Sequence, residues 1–179
     1  MSDETQGESA DDDVSEQRDA ALEELAATSD ELSYGVEAPV AEVYSHFRVM
    51  HVESVLYDLS DPSPLVHLME AESPYRYLAI PLAVADAIAL HHAHSEVEGR
   101  RPSTSELVMT ILTRLQAEII AARIVRYEDG VFYAELDLMT PRGHEVFDCR
   151  TSDAITLALR QRVPAPILCA EEVLSLYFA

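Results

Sequence analysis

The sequence contains no lysine: all 12 of its basic residues are arginine, against 33 acids, for a formal net charge of −21 over 179 residues. A broad lysine-rich surface that grips nucleic acid by neutralising phosphates is therefore excluded. Any phosphate contact must come from local arginine clusters or from bound metal. Cysteine is also scarce, and Cys149 and Cys169 make neither a disulfide framework nor a zinc spacing. The five glycines are scattered, so there is no phosphate-cradling loop. No Gly-x-Ser-x-Gly elbow exists and no histidine follows Cys149 at a telling distance, which argues against nucleophilic acyl chemistry. No apolar run reaches membrane-spanning length, the stretch Tyr77 to Leu90 being broken by Pro81 and Asp86. The acidic, polar N-terminus is unlike a secretory signal, so the expected location is the cytoplasm.

What is present divides in two. Residues 1–46 hold 14 of the acids and one base, Arg18, or −13, leaving −8 for the remainder. This first segment is expected to be a disordered, solubilising tail, with a candidate short helix through Ala20, Leu22, Leu25 and Leu32. Residues 47–179 are expected to form one domain, the 48% hydrophobic content being ordinary for a chain with a real core.

Within the domain, Phe47 to Leu59 reads as a strand, Asp61-Pro62-Ser63-Pro64 as a turn, and Leu65 to Glu70 and Tyr75 to Ile80 as further strands. Ala83 to Glu98 reads as a helix stopped near Gly99, and Ser103 with Glu106 as a capping box opening a helix to about Leu115. Ile119 to Tyr127 and Val131 to Met139 are strands around the hairpin signal Asp129-Gly130. His144 to Cys149 follows as a strand, then a helix capped by Thr151 or Ser152 and running to about Gln161, a short strand at Ile167–Cys169 and a last helix from Glu171. At an offset of 67 the two halves align without a gap: Val52 falls on Ile119, Asp61 on Glu128, and Asp86 to Leu90 on Asp153 to Leu157. The expected class is α+β, a mixed, largely antiparallel sheet with packed helices, built from two pseudo-repeats of strand-strand-strand-helix.

These residues resemble the bifunctional nuclease family. The similarity is carried by Phe132-Tyr133-Ala134, by Asp148-Cys149-Arg150-Thr151-Ser152-Asp153-Ala154-Ile155, by Leu157-Ala158-Leu159-Arg160, and by Pro166-Ile167 and Glu172-Val173-Leu174. Upstream it includes Leu78 to Pro81, Ala87-Ile88, Arg101-Pro102 and Thr104 to Leu107. The resemblance covers about residues 47–177 and implies a small homo-oligomeric α+β domain, a dimer first, that cleaves DNA and RNA. Two positions depart from the family pattern: Thr151 replaces a proline and Ser105 a histidine.

Phosphodiester hydrolysis needs an activated water and stabilisation of charge on the phosphorus oxygens, which carboxylates holding Mg²⁺ or Mn²⁺ beside an arginine can supply. Asp148, Arg150 and Asp153 at a strand-to-helix junction are the catalytic candidates, Asp148 and Asp153 the metal ligands, and Asp86 a further one. A helix-start carboxylate and a structural ion pair are the plainer readings of the same residues. Arg100, Arg101 and Arg160 are the candidate substrate contacts, with Arg162 beside them, although arginines at a helix end also cap carbonyls. Glu106 is explained by capping. His91, His94 and Glu98 share a helix face at a spacing that could touch a metal but matches no zinc signature. The sequence thus points to a divalent-metal-dependent nuclease. The alternative is a non-catalytic binding or regulatory module whose acidic tail docks partners.

Overall fold

A computed structural model describes residues 44–56 and 63–178. The candidate helix at 17–32 and the turn at Asp61 lie outside the described residues. The order is β1 (Phe47–Leu56), β2 (Leu65–Glu70), β3 (Tyr77–Pro81), α1 (Val84–His94), α2 (Thr104–Arg114), β4 (Glu118–Glu128), β5 (Val131–Thr140), β6 (Gly143–Arg150), α3 (Thr151–Arg160), β7 (Ile167–Ala170) and α4 (Glu171–Tyr177). The class is α+β. One seven-stranded sheet has the order β3-β2-β1-β7-β4-β5-β6, antiparallel throughout except between β4 and β7.

Alternation explains which side of the sheet is dry. In β5, Phe132, Ala134, Leu136 and Leu138 are buried. They join Val66, Leu68, Leu78, Ile80, Ile124 and Ile167 in one core against Ala87 and Leu90 of α1, Ala154, Ile155 and Ala158 of α3, and Val173 and Leu174 of α4. Each large side chain buried there stabilises the fold by roughly 1.5–3 kcal/mol. The β4–β5 hairpin closes on Asp129 and Gly130, whose φ values of 51° and 81° are what a two-residue turn of matching twist requires.

Each half runs as an antiparallel three-stranded meander followed by a helix. Bulges fall at corresponding positions, between Val52 and Ser54 in β1 and between Ile119 and Ala121 in β4. The gapless alignment fails in the middle, however. Ile80 and Phe147, 67 positions apart, oppose Val66 and Leu136, which are 70 apart. The ladder therefore matches β2 to β5 only after a shift of three residues. Without it, core-facing Val66 would fall on Tyr133, which points away from the helices.

Three further boundaries differ from expectation. α3 begins at Thr151 with Arg150 as its N-cap and no side-chain cap bond, so neither Thr151 nor Ser152 caps it. α1 stops at His94, not Glu98, because Ser95 caps it and Glu96 takes the left-handed conformation (φ 54°) that ends a helix. The third strand starts at Tyr77, since Tyr75 is also left-handed (φ 59°) and belongs to a turn.

Candidate active site

β6 passes into α3 without a loop. Arg150 is both the last strand residue and the helix N-cap, at φ −70° and ψ 144°. Thr151, buried in the first helical position, donates its hydroxyl to the carbonyl of Phe132 at 3.0 Å and so ties helix to strand. Proline suits this position because its missing N–H is not needed there. The threonine keeps the geometry by a side-chain bond instead.

The Arg150 guanidinium clasps two carboxylates. Its Nε and Nη2 donate to Asp153 at 2.7 and 2.9 Å, and its Nη1 and Nη2 donate to Asp86 at 3.1 and 3.3 Å. Asp86 and Asp153 are each the third residue of their helix, so the clasp bridges corresponding positions of the two halves. Both acids also face the positive end of a helix dipole. Hydrogen bonding to Asp153, then the charges of Asp153 and Asp86, raises the Arg150 pKa and keeps it a cation. The side chain is nonetheless 64% exposed. Four bonds leave one of its five donors unassigned.

Beside the clasp opens a cleft of about 520 Å³ with Ile80, Leu82 and Phe132 in its wall and Asp86, Asp148 and Arg150 at its rim. Asp148 is exposed, and its carboxylate has no hydrogen bond or ion pair among the described residues. Sequence reasoning paired Asp148 with Asp153 around Arg150. The structure bonds Arg150 to Asp153 and Asp86, while Asp148, two residues earlier on β6, lines the same cleft. Cys149 also lines this cleft, but burial foremost and then Asp153, Asp148 and Glu135 push its thiol up to about 11, so it is no nucleophile at neutral pH.

The arrangement as it stands does not fit a resident divalent ion. Among the described residues no three His, Cys, Asp or Glu side chains gather to hold one. All four oxygens of Asp86 and Asp153 accept from Arg150, so an internal cation occupies the place between them. His91, His92 and His94 are exposed, and Glu98 lies beyond the end of α1, which removes the shared helix face.

The other candidates lie at the far end of α3, roughly 15 Å away at 1.5 Å rise per residue. Arg160 is 10% exposed, pairs with Glu106 at 3.2 Å and donates to the Val97 carbonyl. Arg100 and Arg101 are exposed in the loop before α2. Ser105, where the family pattern has histidine, sits beside Glu106 in the capping box, within hydrogen-bond reach of Ser103. That departure is thus remote from the clasp. Backbone and side-chain bonds from Ser103 hold the Glu106 carboxyl below its usual range.

Two buried ion networks were not legible. Glu70 pairs with Arg76, which also holds Glu171, and Asp137 accepts from Arg123 and from the Tyr44 hydroxyl at 2.6 Å. The one available signal was an acid within each apolar strand. Their partners lie up to 93 positions away.

The bifunctional nuclease domain matches residues 66–177. Two uncharacterized proteins, from the CDC 1551 and H37Rv strains of Mycobacterium tuberculosis, are each 36% identical over 112 residues, 63% of this chain and 65% of theirs. The matched segment therefore spans less than two thirds of those relatives' length.

Proposed function

Because this chain belongs to the bifunctional nuclease domain family, we propose that it hydrolyses phosphodiester bonds of DNA and RNA in the cleft beside Arg150. The observation that carries the reading is the clasp, an exposed guanidinium fixed by two carboxylates at a cleft rim. A guanidinium held in advance can stabilise the charge that develops on phosphorus oxygens without reorganising during reaction. Arg150 binds the scissile phosphate through its remaining donor. Asp148, a carboxylate with no partner among the described residues, takes the proton of the attacking water, and the leaving oxygen takes its proton from solvent as the P–O bond breaks. Asp86 and Asp153 are positioning residues. The net charge of −21 disfavours long-range capture of a polyanion, so binding strengthens as added salt screens that repulsion, until it also screens Arg150.

The test is cleavage of single-stranded DNA, duplex DNA and RNA by wild type, Asp148→Asn, Arg150→Ala and Asp153→Asn, each with Mg²⁺, Mn²⁺ or EDTA. Asp148→Asn and Arg150→Ala are expected to lose at least about 100-fold in rate. The EDTA arm reads metal dependence directly. Equal cleavage by all four proteins would mark a contaminant and sink the assignment. No cleavage by any of them would leave a nucleic-acid-binding or regulatory module.

A further inference from the structure

Most arginines of this acidic domain are spoken for. Arg48, Arg76, Arg123, Arg126, Arg142, Arg150 and Arg160 each form an ion pair with a carboxylate. Arg100, Arg101, Arg114 and Arg162 form none among the described residues, and all four are exposed; Arg100 and Arg101 lie in the loop before α2. Arg114 and Arg162 differ in their setting. They stand around a second cleft, of about 740 Å³, between α2, the start of β4 and the end of α3. Arg160 lines it too, and Met109 and Val163 add apolar wall.

Helix dipoles explain part of this charge, since Arg114 and Arg160 are the last residues of their helices. They do not explain Arg162, which lies beyond α3, nor the state of Arg160. Its Nε is the one buried side-chain polar atom among the described residues that lacks a hydrogen-bond partner. A buried donor left unpaired is unfavourable, and the residue that carries it lines the cleft. The one acid in the lining is Glu118, against three arginines. Gln161 cannot relieve Arg160, because its amide is committed to both backbone groups of Ile119.

We propose that this cleft binds a phosphate-bearing anion of nucleotide size, its oxygens shared among Arg114, Arg160 and Arg162. The volume suits a small-molecule site, and guanidinium groups match phosphate geometry. The site lies at the opposite end of α3 from the Arg150 clasp and does not depend on the nuclease reading.

The experiment is calorimetric and NMR titration of the full chain with pyrophosphate, AMP and a short single-stranded oligonucleotide. The proteins are wild type, Arg114→Ala, Arg162→Ala and Arg150→Ala. Arg114 and Arg162 are exposed, so their variants should fold. Pyrophosphate or AMP is expected to bind wild type and to weaken about tenfold in each of these two variants, while the NMR shift changes around the end of α3 persist in Arg150→Ala. Binding of the oligonucleotide alone, with the same dependence on Arg114 and Arg162, would place the phosphate on a strand instead of a free nucleotide. Binding of no probe, or binding indifferent to both substitutions, would overturn the proposal. Loss of cleavage in Arg150→Ala with anion binding intact would separate the two sites.

Discussion

Arg76 holds two glutamates that the sheet end brings together. Its Nε and Nη2 donate to Glu70, and its Nη1 and Nη2 to Glu171. Glu70 is 2% exposed, so Arg76→Ala leaves a buried charge with only the long 3.9 Å pairing to Arg48. The expected loss is about 3–5 kcal/mol, read by urea denaturation. These bonds also set an acid limit. Hydrogen bonds from Arg76 and then Arg48 lower Glu171 from 4.5 to about 2, and Arg76 lowers Glu70. Depressed carboxyl pKa values mean that the unfolded chain takes up protons first as pH falls. The stabilisation is thus full above 4.5 and is lost on the way down to about 2. Melting temperature should fall through that window, and Glu171→Gln should flatten the fall; an unaltered slope would assign the acid limit to other groups. In the alkaline range, burial and Asp137 raise the Tyr44 hydroxyl to about 12, so it stays a donor to Asp137 well past neutrality.

At the scale of elements, local chemistry was readable where neighbours in sequence decide the outcome. The capping box forms as expected, with Glu106 N–H donating to the Ser103 hydroxyl and Ser103 N–H to the Glu106 carboxylate. Ser103→Ala should cost about 1 kcal/mol in thermal or urea unfolding. The Asp129-Gly130 hairpin is equally local. The end of α1 was not readable, because a glutamate takes the left-handed position where glycine is the usual signal. The shift of β2 against β5 was hidden because short apolar runs align in either register, and only pairing fixes which face is wet. The clasp was half legible. Arg150 and Asp153 are three residues apart, whereas Asp86 is 64 away and reaches Arg150 only through the packing of α1 on α3. Thr151→Pro tests the junction itself. Arg150 already has the extended backbone that precedes proline. Loss of the hydroxyl bond to Phe132 and gain of a preset φ should nearly cancel, leaving the melting temperature within a few degrees of wild type.

At the scale of the molecule, all helices in the described residues lie on one face of the sheet, and none is long and apolar enough to cross a membrane. The other face exposes Val49, Met139 and Val146. Family membership brings with it the proposal of a homo-oligomer, a dimer first. Light scattering at several concentrations reads the mass, and a monomer at all of them would remove that proposal. The most distant consequence comes from β7. β1 pairs with β2 and β7, and β4 pairs with β5 and β7, so among the described residues the ladder joins the two meanders only through the four residues of β7. Without β7 the sheet is two separate meanders, each with an open edge at β1 or β4. Ile167–Ala170 is thus a four-residue keystone made of long-range pairings, and any substitution that loosens it should expose two strand edges at once and favour edge-to-edge association.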